Sequence, residues 1–258
     1  MQINKKMILV LLVLAVSFSG LVVINSTYAA NLSAEEIMER VDENHYIDSA
    51  RVESKLIIKD RGREIVKEME TYIESYNQTS NSLSEFLNPE DRGTRYLKLG
   101  DEIWMYFRDA EDLVSISGHM MRQGMMGSDF SYEDIMESEQ LTDFYKFELK
   151  EENTINDIDV YVISATARES AEVSYYQRQI WVDQERFIVL REELYSTGGR
   201  LLKQMETEQV KEFDERWYPV EIIMNDKLRE DSKTIYKINE IDFDYEIPEG
   251  KISLETLQ

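Results

Sequence analysis

Apolar residues recur along this chain with two different periods. Between Ser33 and Asn44 the period is helical. Ser33-Ala-Glu-Glu36 reads as a capping box, with Ser33 as N-cap, and Ile37, Met38 and Val41 follow on one face. A helix from Ala34 to about Asn44 with a single apolar stripe is expected to lie across a larger body. From Ala50 the period becomes two. Val52, Ser54, Leu56 and Ile58 alternate with Arg51, Glu53, Lys55 and Ile57, and Asp60-Arg61-Gly62-Arg63 turns the chain into a second strand from Ile65 to Tyr76. The alternation continues to Tyr245, punctuated by short polar turns such as Gly100-Asp101, Asn156-Asp157 and Thr197-Gly198-Gly199. In the last strand Tyr236 and Ile238 are two apart, but Ile241 and Phe243 are out of phase with them. That predicts a β-bulge near Asn239.

The pattern amounts to about 11–12 strands with hairpin-like connections and two or three short helices. No βαβ alternation, fixed-period repeat or Pro- or Ser-rich linker divides it. One highly curved antiparallel sheet is the economical reading, and a curved sheet of this size has an inside. Where the inside exceeds what its own side chains fill, it becomes a ligand cavity.

The longest break in the strand pattern runs from Ser117 to Ile135. It carries Met120, Met121, Met125 and Met126 between Gly118, Gly124 and Gly127. Apolar side chains on a loop either fold onto a core or line a surface for apolar molecules, and flexible, polarisable methionine suits the second role. The loop is expected to cover or border an apolar cavity. A short helix is expected after it, from Ser131-Tyr132-Glu133-Asp134 to about Ser138, and a strand from Asp143 to Glu151.

The first 29 residues read differently. Lys5 and Lys6 precede an apolar run from Met7 to Ile24, and Thr27-Tyr28-Ala29 offers small residues at a signal-peptidase site. The expected organisation is a signal peptide at 1–29 and one domain at 30–258, with a retained N-terminal anchor as the alternative. Either way the body of the protein is expected to be periplasmic or otherwise extracytoplasmic. The chain has no cysteine, which excludes disulfides, a lipid-modified cysteine and thiol chemistry. Its net charge of −23 disfavours nucleic acid and anionic membranes as partners and fits a soluble monomer.

The chain carries few candidate catalytic groups. His45 and His119 are the only histidines, and no zinc-protease, P-loop, nucleophile-elbow or dinucleotide pattern is present. The reading is a non-enzymatic protein with no cofactor and no metal. Its rival is a Cu(I) site made by His119 and the four methionines, since thioethers suit that ion.

At Gly100-Asp101-Glu102-Ile103-Trp104-Met105-Tyr106-Phe107, at the Ser-Gly-x-Met-Met loop and at Met126-Gly127-Ser128-Asp129-Phe130-Ser131-Tyr132-Glu133-Asp134-Ile135, the chain resembles the outer-membrane lipoprotein-sorting proteins of the LolA/LolB-like superfamily. Ile180-Trp181-Val182-Asp183 and Trp217-Tyr218-Pro219 fit the same pattern. The resemblance implies a mainly β fold: a half-open antiparallel barrel around an apolar cavity, with helices as a lid. It implies a carrier of lipoprotein acyl chains or lipids, served by an inner-membrane exporter and an outer-membrane acceptor. An envelope-stress sensor of the same fold is the alternative. The residues expected at cavity or lid are Trp104, Tyr106, Met120, Met121, Met125, Met126, Phe130 and Tyr132.

Overall fold

In the first strand, β1 (Ser49–Asp60), alternation becomes burial. Ala50, Val52, Ser54, Leu56 and Ile58 point into the protein while Arg51, Glu53 and Lys55 stay partly exposed. The computed structural model describes residues 32–257 apart from 77, 78, 109, 138–140, 214 and 215. The expected leader at 1–29 therefore lies outside the described residues, as does Ser138, the expected end of the second helix.

Five more strands follow β1: β2 (Arg63–Tyr76), β3 (Thr79–Phe86), β4 (Arg95–Leu99), β5 (Glu102–Phe107) and β6 (Asp112–Ile116). After a long connection come β7 (Tyr145–Ile155), β8 (Ile158–Ala167), β9 (Gln177–Asp183), β10 (Val189–Tyr195), β11 (Leu201–Phe213), β12 (Arg216–Asp226) and β13 (Ser232–Phe243). These 13 strands form one antiparallel sheet in the order β6-β5-β4-β3-β2-β1-β13-β12-β11-β10-β9-β8-β7. Two meanders thus meet back to back at the β1–β13 pair, and the sheet does not close. Its two edge strands, β6 and β7, are neighbours in sequence, so the chain from 117 to 144 must cross from one edge to the other.

The predicted bulge is present. Glu53 pairs with Glu240 and Ser54 with Ile238, which leaves Asn239 as the extra residue. It restores the inward facing of Ile241 after Ile238 and bends the strand at the centre of the sheet.

Helix α1 (Ala34–His45) has the expected capping box, with both Ser33 and Glu36 bonds made. Its stripe of Ile37, Met38 and Val41 is fully buried on the concave face against Tyr145, Ile163, Ile180 and Val182. Each such side chain contributes roughly 1.5–3 kcal/mol. The expected strand from Asp143 begins later. Leu141–Phe144 is a helical turn, α3, and strand pairing starts at Tyr145. The reason is a long-range cap: Asp42 of α1 accepts hydrogen bonds from the amides of Leu141 and Thr142 and from the Thr142 hydroxyl. On the convex face the C-terminal turn α4 (Leu254–Leu257) covers Leu83, Leu97 and Trp104, and Arg95 Nη1 donates to the Thr256 carbonyl at 2.5 Å.

Candidate functional site

The connection between the edges is a strap across the concave face. Its methionine loop folds into two 3-10 turns, Gly118–Arg122 and Met125–Gly127. Gly124 lies so close to Ser128 that a Cβ there would sit 1.9 Å from the Ser128 carbonyl oxygen. Only glycine allows this crossing. Gly124 also bridges to Ser131, and the Met125 amide donates to the Phe130 carbonyl at 2.8 Å.

The Gly-Ser-Asp-Phe-Ser-Tyr-Glu-Asp run fastens this strap to the sheet. Asp129 is buried and accepts from Ser232 Oγ at 2.6 Å and Thr234 Oγ1 at 2.8 Å, both on β13, while Arg229 approaches the same carboxylate at 3.3 Å. Ser131 and Asp134 cap α2 (Tyr132–Glu137) reciprocally: Asp134 accepts from the Ser131 amide and Ser131 Oγ accepts from the Asp134 amide. Asp134 is also ion-paired to Lys203 of β11 at 2.5 Å and accepts from the Tyr175 hydroxyl at 2.6 Å. At the other end of α2, Glu137 pairs with Arg178 of β9 at 2.7 Å, and Glu192 of β10 holds the same guanidinium at 2.9 Å. Burial works against the Arg178 charge, but Glu192, Tyr145 and Glu137 together raise its pKa. Burial raises the Tyr96, Tyr132 and Tyr175 hydroxyls, and pushes Tyr145 up to about 12. These phenols are therefore neutral hydrogen-bond donors at physiological pH.

Between the strap and α1 the sheet is not filled. A cavity of about 950 Å³ remains, at the upper end of small-molecule sites. One wall is apolar: Val52 and Leu56 of β1, Ile222 and Met224 of β12, Tyr236 and Ile238 of β13, roofed by Met125, Phe130 and Ile135 of the strap. A second wall is polar, made by Thr71, Ser75, Ser80, Ser82, Ser84 and Lys98 on β2, β3 and β4. The rim near the end of α1 carries Glu39, Asp42, Glu43, His45 and Asp143.

The expected site residues divide into three groups. Met125 and Phe130 line the cavity. Met120, Met121 and Met126 pack beside it against Leu56, Phe86, Ile103 and Met105, and Tyr132 is buried in the same cluster. Tyr132 donates to the Tyr96 hydroxyl at 3.0 Å, which donates to Met126 Sδ at 3.2 Å. Trp104 and Tyr106 lie on the opposite face of β5, under the C-terminal tail with Leu83, Leu97 and Ile252. His119, the candidate copper ligand beside the methionines, is exposed. Sequence reading did not single out Asp129, Asp134, Lys203, Arg178 or Glu192 as partners. The one available signal was that the Gly-Ser-Asp-Phe run is too rich in specific residue types for an idle loop.

The sequence matches one family, described as an uncharacterized protein, over residues 78–258. No curated protein matches it. Among solved structures, a DUF1329 family protein from Desulfovibrio piger superposes with a TM-score of 0.81 at 23 % identity, over 87 % of this chain and 98 % of that one. An outer membrane lipoprotein-sorting protein domain from Vibrio parahaemolyticus gives 0.78 at 20 % identity, over 87 % and 97 %. A LolA superfamily protein from Nitrosomonas europaea gives 0.70 at 22 % identity, over 87 % and 99 %.

Proposed function

Since the chain belongs to a family of uncharacterized proteins and has the fold of LolA-like proteins, we propose that it is an extracytoplasmic carrier. It binds lipoprotein acyl chains or other lipids in the cavity and shuttles them across the envelope, from an inner-membrane exporter to an outer-membrane acceptor. The observation that carries this reading is the unfilled cavity of about 950 Å³ between strap and α1, with aliphatic and methionine side chains along its floor and roof. A sheet that only needed a core would fill that volume. Each methylene moved from water into it contributes roughly 0.8 kcal/mol, so an acyl chain brings ample affinity without any specific contact. Met125, Phe130 and Ile135 are the apolar strap residues that touch cargo in this reading, and Met120, Met121 and Met126 are the strap's own anchors. The leader at 1–29 delivers the domain beyond the inner membrane.

The test uses residues 30–258 and the neutral fluorescent probe N-phenyl-1-naphthylamine. The expected result is saturable fluorescence enhancement that Ile222→Trp, which fills the apolar wall, removes without changing the far-UV spectrum. Equal enhancement in both proteins would place the probe outside the cavity and overturn the reading.

A further inference from the structure

Four neighbouring hairpins turn at the same end of the sheet: β5–β6, β3–β4, β1–β2 and β12–β13. Each has one large apolar side chain exposed at or beside its turn. Phe107 ends β5 and is 37 % exposed, Leu87 follows β3 at 50 %, Ile65 lies near the start of β2 at 46 %, and Leu228 sits in the β12–β13 turn at 52 %. Among the described residues, the large apolar side chains exposed at the opposite end are Tyr46 and Tyr76. Single apolar residues scattered over a surface are ordinary, whereas one on each of four consecutive tips is a pattern. Each tip also carries exposed cationic side chains: Arg108, Arg92, Arg61 with Arg63, and Lys227. The tips are tied to one another. The Leu87 amide donates to the Glu68 carbonyl at 2.9 Å, Asn88 Nδ2 to the Val66 carbonyl at 3.0 Å, and the Arg61 amide to the Asp231 carbonyl at 3.1 Å. Gly93 lies against the Arg108 side chain, which a Cβ at that glycine would meet at 2.4 Å. The four tips thus form one rim, about 30 Å long at two strand spacings per tip.

Acids of the rim are partly neutralised in place: Asp60 by Arg229 at 3.4 Å, Glu64 by Lys59 at 3.2 Å, and Asp91 by Lys67. Acidic and basic residues nearly balance across these turns, in a chain whose net charge is −23. Repulsion from the rest of the surface is screened within a Debye length, about 8 Å at physiological ionic strength. A surface that meets only the rim therefore escapes most of it. We propose that the rim docks on a phospholipid bilayer. Phe107, Leu87, Ile65 and Leu228 enter the interfacial region, while the arginines and Lys227 lay their apolar stems along it and reach lipid phosphates with their charged heads. The spacing favours a bilayer over a protein. Four apolar groups strung in a line, about 10 Å apart, offer no shared pocket, whereas the anchor residues of a protein interface cluster at its centre. A fluid interface seats each side chain separately. This docking is independent of what the cavity holds.

The experiment uses residues 30–258, which contain no cysteine, so a single introduced thiol places a nitrobenzoxadiazole label at one position. Leu87→Cys and Leu228→Cys put it on the rim, and Tyr76→Cys puts it at the opposite end. The probe surface is vesicles of phosphatidylethanolamine and phosphatidylglycerol. Emission at 87 and 228 is expected to rise at least about twofold and shift to the blue on adding vesicles, with position 76 unchanged. Unlabelled Ile65→Ser/Leu228→Ser, which alters only exposed positions, should keep its far-UV spectrum and need about tenfold more lipid for half-maximal sedimentation with the vesicles. No response at 87 and 228, or an equal response at 76, overturns the proposal. So does sedimentation of the double variant at the wild-type lipid concentration. Emission at 87 and 228 that rises with protein concentration in the absence of vesicles would make the rim a contact between copies of this chain and also overturns it.

Discussion

A carboxylate with no exposed surface must find its hydrogen bonds inside the protein, and Asp129 finds them on a strand more than a hundred residues away. Asp129→Ala would leave the Ser232 and Thr234 hydroxyls buried without an acceptor. At about 1–3 kcal/mol for each group stranded, the expected cost is about 3 kcal/mol, read as a lower urea midpoint with an unchanged slope. Asp129→Asn keeps the shape and should recover part of the loss. A midpoint within experimental error of wild type would show that the strap is held by its apolar contacts alone. His45, half-buried at the cavity rim, tests the opposite sign of charge. Burial lowers its pKa, Asp42 partly offsets that, and Arg216 lowers it further. The folded protein thus refuses a proton that the unfolded chain accepts near its ordinary value of about 6.5. Below that pH the unfolded state binds more protons, so stability falls as pH drops through about 6.5 toward the depressed folded value and is fully present above it. His45→Gln should flatten the urea midpoint between neutral pH and the onset of carboxylate titration. An identical slope in the variant would assign the pH dependence to other groups.

The strap is the element whose geometry the sequence constrains most tightly. At Gly124 an added Cβ meets the Ser128 carbonyl at 1.9 Å, a clash only backbone movement relieves. At Gly127 the backbone has φ +80° but nothing lies within 4 Å. Gly124→Ala should therefore cost roughly 1–3 kcal/mol by steric displacement and Gly127→Ala about 1 kcal/mol by backbone strain alone. Limited proteolysis should cut between 117 and 131 much faster in Gly124→Ala, with the sheet's far-UV signal unchanged. Equal cleavage of the two variants would count against the crossing. Elements such as these differ in how far local sequence reveals them. The capping box of α1, the alternation of β1 and the Asn239 bulge are all written within a dozen residues, and all three stand in the structure as read. The turn at Leu141–Phe144 is not, because its cap is Asp42 on another helix. Nor is the face on which Trp104 lies. Ile103 and Met105 are as apolar as Trp104 and Tyr106, so alternation groups each pair without saying which one faces the concave side. Met125 and Phe130 could be placed near a cavity from the loop's composition, whereas the serine wall is visible only once β2, β3 and β4 are in register.

At the scale of the molecule, two meanders share one strand pair, β1 with β13, and one covalent bridge, the strap. The cavity is walled by both meanders and roofed by the strap, so a ligand that filled it would touch all three at once. Anything that binds only the folded arrangement stabilises it by mass action, about 2.7 kcal/mol at a hundred times the dissociation constant. That stabilisation falls on the openings that release the ligand and spares those that do not. Roof opening need only break the strap's short hydrogen bonds, Gln123 amide to Met120 carbonyl and Met125 amide to Phe130 carbonyl, together with its buried clamps. Opening of β1 must break pairings to both β2 and β13. Hydrogen exchange of the empty domain should accordingly be faster at Gln123 and Met125 than at Leu56. Saturation with a cavity ligand should slow the strap amides strongly, and should slow Leu56, itself a residue of the cavity wall, in step with the added global stability. If ligand instead slowed exchange along β7 or in the C-terminal tail while the strap exchanged as before, cargo would be entering elsewhere. The strap would then be a fixed tie between the edges of the sheet.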